Sequence, residues 1–198
     1  MKRGPKVKIA RALGVALTPK AARIMERRPN PPGQHGAATR RKVSDYKKQL
    51  LEKQRLRAQY NVSERQLQNA FTEATRIAGN TGVNLVRLLE MRLDAVVLRA
   101  GFARTIYAAR QGVVHGHVLV NGRKVDRPGR RLQPGDVVAL AARSRDLAAF
   151  TVPLDNARPP AYLDLDKDKR SVRVRELPER DQIPVQAELS LIVEFYSR

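Results

Sequence analysis

The chain has 198 residues, which suits one large domain or two small ones, and 42% of it is hydrophobic, enough to bury a core and to exclude a wholly disordered basic tail. Its 39 Lys and Arg face only 19 Asp and Glu, giving a net charge of +20 and a pI near 11.2; charge of that size repels itself, and a polyanion that releases counterions on binding is the usual complement. Cysteine is absent, which excludes disulfides, a thiol nucleophile and cysteine-ligated zinc.

The charge is uneven along the chain. Residues 1–60 hold 17 basic and 3 acidic side chains, residues 61–145 hold 14 and 6, and residues 146–198 hold 8 and 10. The first two thirds should therefore face the polyanion, and nucleic acid is the first suspect. An anionic membrane surface is the weaker alternative: no apolar run approaches the roughly 18 residues of a spanning helix, and no basic amphipathic stretch carries a face rich in Trp and Phe. After Met1, KRGPKVK leads only into short apolar groups with no secretory core, so a cytoplasmic protein is the default expectation.

Residues 1–42 show few long periodic signals and read as an irregular basic arm with one short helix near Pro19 to Arg27. PNPPGQHG (29–36) holds three prolines and two glycines in eight positions, a composition that propagates neither helix nor sheet. The arm is either a solvated basic tail or a nucleic-acid contact; as a contact, its candidate cations are Arg3, Lys6, Arg40, Arg41 and Lys42. SDYKKQLLEKQRLRAQY (44–60) follows, with Ser44 as N-cap and Asp45 near the positive helix end. Tyr46, Leu50, Leu51 and Leu56 make only a thin apolar stripe, so Lys47, Lys53, Arg55 and Arg57 are expected on the surface, available to a polyanion. SERQLQNAFTEATRIA (63–78) sets Ser63 and Gln66 at capping-box spacing, puts Leu67, Ala70, Phe71, Ala74 and Ala78 on one face, and stops at GNTG.

A further helical pattern starts after Asn84 and runs through Leu85, Leu88, Leu89, Leu93, Val96 and Val97 to Ala100, with a bend or break at Arg92 to Asp94. RTIYAARQGVVHG (104–116) reads as a short helix begun near Thr105 and ended by Gly116, with Gly112 costing it about 1 kcal/mol relative to alanine. Val118 and Val120 then alternate, Asn121-Gly122 is a strong hairpin signal, Val125 resumes the strand, and Pro134-Gly135-Asp136 turns into a second strand, VVALA (137–141). Residues 157–174 mix a Pro-Pro turn with short β-like runs, and residues 176–186 read as loop. LSLIVEFYSR (189–198) is apolar enough to dock on a core, as either strand or helix. The fold class is α+β.

A catalytic reading fails for want of gathered titratable groups. His115 and His117 would share a face on a strand, but no third or fourth ligand is near them, so a surface or RNA-facing role is expected in place of a metal. There is no phosphate loop ending in Lys-Ser/Thr, no dinucleotide fingerprint and no nucleophile elbow. The alternating carboxylates of DLDKDK (164–169) lack the glycine and terminal glutamate of a calcium loop. The expectation is a protein with no enzymatic activity, no cofactor and no metal.

The hairpin offers a better lead. With Val118, Val120 and Val125 pointing inward, its other face and turn present Arg123 and Lys124, followed by Arg127, Arg130 and Arg131 in a loop punctuated by Gly and Pro; the preceding helix adds Arg104 and Arg110. Guanidinium groups on a rigid edge engage phosphate bidentately and lose less entropy than groups on a mobile tail. No zinc-finger spacing, basic-zipper heptad or reading helix points to DNA, and 5% aromatic content argues against a base-stacking sheet. Folded RNA, recognised by shape and phosphate, is reached by elimination.

ERRPNPPGQHG (26–36), SDYKKQLLEKQRLR (44–57), NVSERQLQNAF (61–71), the run 82–125, QPGDVVAL (133–140) and LIVEFYSR (191–198) together resemble the bacterial small-subunit ribosomal protein S-four family, in order and over nearly the whole chain. The resemblance implies a protein that binds the five-prime domain of small-subunit (16S) ribosomal RNA at a multi-helix junction and nucleates assembly of the subunit body. It also implies contacts with the fifth and third small-subunit proteins near the path by which messenger RNA enters, the former tied to translational accuracy. On this basis the chain divides into an irregular arm (1–42), a mainly helical domain (43–90, completed by 175–198), a helix-plus-antiparallel-sheet RNA-binding module of the S-four type (91–155), and connecting loops and short strands (156–174). Arg27, Arg28, Gln34 and His35 lie in a matching motif and are expected to dock into RNA. Some family members carry four N-terminal cysteines that bind zinc or an iron–sulfur cluster; Val7 and Ala10 stand where two of them would align, so this chain resembles the cysteine-free form, its arm ordered by apolar contacts and RNA. Two other classes use the same small module: RNA-modifying enzymes, for whose catalytic domain little chain is left over, and stress factors that associate with ribosomes substoichiometrically.

Overall fold

The computed structural model describes residues 4–36, 43–155 and 157–197. In chain order these form α1 (Lys6–Leu13), α2 (Pro19–Arg27), α3 (Asp45–Gln59), α4 (Glu64–Ala74), α5 (Thr81–Glu90), α6 (Leu93–Arg99), α7 (Ile106–Val114), β1 (Val118–Val120), β2 (Arg123–Lys124), β3 (Val137–Leu140), α8 (Ala148–Asp155), β4 (Leu163–Asp166), β5 (Ser171–Val174) and α9 (Leu189–Tyr196). The α+β chain divides into two compact units, Met1–Gln68 with Val185–Arg198, and Asn69–Pro184.

In the first unit, the amino-terminal segment is more regular than its composition indicates. α1 follows Pro5, has no side-chain cap, and ends where Gly14 takes a left-handed conformation at φ 69°. With α2, which is capped by Thr18, it buries a small apolar set: Ala10, Leu13, Val15, Leu17 and Ala21. Arg11 then donates to the carbonyls of Arg28 and Asn30, at 3.2 and 2.7 Å, which fixes the start of the proline-rich stretch. The Arg55 Nε–H, 2.7 Å from the Leu13 carbonyl, ties α1 to α3. α3 starts at Ser44, whose hydroxyl accepts from Lys47 N, and α9 packs along it. The apolar C-terminal run is therefore a helix. The capping box of α4 is reciprocal: Gln66 N donates to Ser63 Oγ at 3.2 Å, and Ser63 N donates to Gln66 Oε1 at 3.0 Å. α4 stops at Ala74, four residues before Ala78.

In the second unit, Asn80 caps α5 earlier than the apolar pattern suggests, and the chain breaks at Met91–Arg92 before α6. Thr105 caps α7 through Ala108 N. The sheet is antiparallel throughout in the order β2-β1-β3-β5-β4. Residues 163–174 thus supply two further strands to the sheet begun by the hairpin. Val118, Val120, Val138, Leu140, Val172 and Val174 line its inner face, packed with Phe102, Val113, Phe150 and Tyr162. Each fully buried side chain of this kind contributes about 1.5–3 kcal/mol. Glu90, fully buried, accepts from the Tyr162 hydroxyl at 2.8 Å and is ion-paired with Arg99; burial and the adjacent carboxylate push the phenol well above its ordinary pKa. A short 3-10 turn at Ala142–Ser144 and the Pro153-containing α8 complete the unit.

Candidate nucleic-acid interface

The hairpin that begins this interface is built by its turn. Asn121 and Gly122 both take positive φ, 50° and 78°, the twist that lets β2 fold back on β1. The Asn121 side chain then bridges to the far strand: Nδ2 donates to Asp136 Oδ1 at 2.7 Å, and Oδ1 accepts from Val137 N at 2.9 Å. The register sets Arg123 opposite Val120 and Lys124 opposite Leu119. Val118 and Val120 are buried, whereas Arg123 and Lys124 are exposed.

The loop after β2 is docked. Leu93 N donates to Arg130 O at 2.8 Å, Asp94 N to Pro128 O at 3.1 Å, and Leu132 N to Met91 O at 2.8 Å. The loop carbonyls thus occupy N–H groups at the start of α6 that a helix otherwise leaves without partners. Arg92 forks onto Asp94 at 3.0 and 2.8 Å beneath the loop. Burial pushes the Asp94 carboxyl above its ordinary pKa, with Arg92 and Arg110 pulling the other way. Arg127 and Arg130 are exposed, and among the described residues neither forms an ion pair. An open groove of about 910 Å³ runs between hairpin and loop, with Lys124, Arg127, Arg130 and Arg131 on its walls beside Asp126 and Asp136.

The remaining candidates separate sharply. Arg104 lies exposed just ahead of α7. Arg110 is half-buried: its guanidinium lies 3.7 Å from Asp94 Oδ2, and its buried Nη1 has no hydrogen-bond partner. Arg131 is exposed but ion-paired with Glu73. His115 is exposed at the end of α7; His117 sits 2.8 Å from Ser144 Oγ, its ring held below its ordinary pKa by burial and by the charges of Arg143 and His115. The two histidines therefore do not share a strand face. Among the described residues, no group of three or more His, Cys, Asp and Glu could hold a metal ion.

In the first unit, Lys6, Arg27, Arg28, Gln34, His35 and Lys47 are exposed, while Arg3, Arg40, Arg41 and Lys42 lie outside the described residues. The expectation of a solvent-facing α3 needs correction. Lys53 is 5% exposed, with its ammonium 2.8 Å from Glu64 Oε1 and 4.1 Å from the Phe195 ring centre. Arg57 bonds the other Glu64 oxygen at 3.1 Å, and Arg55 holds Glu52 and the Leu13 carbonyl. Lys53 is retained inside the protein because Glu64 and the Phe195 and Tyr196 rings converge on it, while Arg55 and Arg57 stay partly exposed but engaged in internal ion pairs. Burial alone would raise the Glu64 carboxyl, but hydrogen bonds from Lys53 and Tyr196 and the charges of Lys53 and Arg57 hold it below its ordinary range. The positions that sequence reasoning underrated are Arg92 and Asp94, read only as a bend; the signal available was charge in an otherwise apolar run.

A pinned cationic hairpin and loop on a helix-backed sheet is the kind of arrangement that suits a nucleic-acid-binding module. The Ribosomal protein S4/S9 N-terminal domain model matches residues 1–90, and the S4 domain model matches residues 91–138. The small ribosomal subunit protein uS4 of Leifsonia xyli subsp. xyli is 52% identical over 198 residues, covering 97% of this chain and 96% of that one. The uS4 of Beutenbergia cavernae is 54% identical over 198 residues, covering 97% and 95%, and that of Streptomyces avermitilis is 53% identical over 199 residues, covering 98% and 97%. The chain belongs to the uS4 family of rRNA-binding structural proteins of the small ribosomal subunit, a family of non-enzymes. Among the described residues no helix is long and apolar enough to cross a membrane.

Proposed function

We propose that this protein binds the five-prime domain of 16S rRNA at a multi-helix junction, and that by holding RNA helices together it nucleates assembly of the subunit body. The observation that carries this reading is the cationic edge made by Arg123, Lys124, Arg127 and Arg130, exposed on a hairpin and a loop that are both fixed by hydrogen bonds to the fold. Charges fixed in this way match a particular arrangement of phosphates, whereas a mobile tail binds any polyanion. Arg104 and His115, with Arg27, Arg28, Gln34 and His35 of the arm, extend the RNA-facing set. Arg110 joins it by leaving Asp94, and Arg131 by leaving Glu73. Contacts with the fifth and third small-subunit proteins, beside the entering messenger RNA, complete the proposal and link it to translational accuracy.

Chemical footprinting of 16S rRNA with and without the protein tests this directly. Protection should cluster at one junction in the five-prime domain. For about eight neutralised phosphates, log affinity should fall against log salt with a slope of about −6 to −7. A flat salt response, or equal affinity for arbitrary duplexes, would reject the reading.

A further inference from the structure

Exposed cations on the 126–131 loop grip phosphate efficiently only when the loop is held, and two buried side chains hold it. Arg92 is 7% exposed and Asp94 is 0% exposed. With Arg92 Nε and Nη2 both bonded to the Asp94 carboxylate, the guanidinium is a flat plate locked at the start of α6. The loop lies against that plate: a Cβ on Gly129 would stand only 3.2 Å from Arg92 Nη1. On either side of Gly129, Pro128 and Arg130 turn their carbonyls onto the N–H groups of Asp94 and Leu93. Asp94 thus anchors the loop twice, through its own backbone and through Arg92.

We propose that Arg92 and Asp94 are positioning residues for RNA binding, resting on the RNA reading above: neither touches RNA, and together they order the 126–131 loop in advance, so that Arg127 and Arg130 meet phosphate without an ordering cost. Arg110 is the loose member of the cluster. At 3.7 Å from Asp94, with one buried N–H lacking an acceptor, it is the guanidinium that transfers to phosphate while the Arg92 fork stays in place.

The test uses the full chain, the Asp94→Asn and Gly129→Val variants, and a five-prime-domain 16S rRNA fragment. Affinity is measured well below the melting temperature, together with amide exchange at Leu93 and Leu132, which report the loop, and at Val138 and Leu140, which report the sheet. Both variants should exchange faster at the loop amides and normally in the sheet, and should bind the fragment about tenfold more weakly. Gly129→Val keeps every charge, so it answers for the case in which Asp94→Asn fails to fold. A purely structural role would lower the melting temperature and leave the affinity of the folded protein intact. Loosened loop amides with full affinity would overturn the inference, as would weaker binding with the loop amides still protected. If the unaltered chain does not bind the fragment, the RNA reading falls and this inference with it; equal binding by all three proteins sinks the inference alone.

Discussion

α3 of the helical unit and the hairpin with its loop in the sheet unit treat positive charge in opposite ways. In the helical unit, Lys53, Arg55 and Arg57 of α3 are turned toward Glu52, Glu64, the Leu13 carbonyl and the Phe195 ring. On the hairpin and loop of the sheet unit, Arg123, Lys124, Arg127 and Arg130 stay exposed: Asp94 is engaged by Arg92, Asp136 by Asn121 and Gln133 N, and among the described residues Asp126 forms no ion pair with them. A regional charge count therefore overstates the cationic surface that α3 offers to a polyanion. Residues 1–60 carry the larger surplus, yet part of it is spent on internal structure.

The comparison is broken most severely by Lys53→Ala. It removes a buried cation from Glu64 and from the Phe195 ring, and should cost about 2–3 kcal/mol, read by thermal denaturation, with the salt slope of RNA binding unchanged below the transition. A melting temperature equal to that of the unaltered protein would mean that Lys53 is a surface charge after all. Replacing Arg123 and Lys124 together with alanine should do the reverse: the thermal transition stays, and the salt slope becomes shallower by about 1.4–1.8 as two phosphate contacts are lost. Loss of the cooperative transition in that variant would show these two cations to be structural. The smallest effect is acid sensitivity. Because the folded Glu64 carboxyl lies below its ordinary pKa, its stabilisation is present at neutral pH and is lost as the pH falls out of the ordinary carboxylate range and through the lower folded value. With Glu64 partly exposed, the loss should be under about 1 kcal/mol and should vanish in Glu64→Gln, as followed by acid titration of the helical signal.

What could be read from the sequence is what neighbouring residues decide. Ser44, Thr105 and the Ser63–Gln66 pair start helices where their spacing indicates, and Asn121-Gly122 makes the turn its backbone freedom allows. The break at Arg92 was visible as charge inside an apolar run. What escaped depends on distant partners or lacks a local marker. α1 starts with no side-chain cap, and α8 contains Pro153. β4 and β5 reveal their sheet only through the pairing of Val172 with Val138. The β-branched and aromatic run of α9 suits either structure, and burial of Ile192 beside α3 selects the helix. Lys53 was misplaced for the same reason: Glu64, Phe195 and Tyr196 are remote from it in the sequence.

The helical unit is discontinuous, since α3 rests on α9, which follows the whole of the sheet unit in the sequence. During synthesis from the amino terminus, residues 69–184 emerge as one uninterrupted stretch and are expected to fold first, domain-wise. The earlier-made helices must then wait until α9 has been synthesised. A nascent chain of this protein therefore completes its sheet unit before its helical unit has matured, and termination between Pro184 and Phe195 leaves Lys53 without the aromatic shelter that makes its burial tolerable.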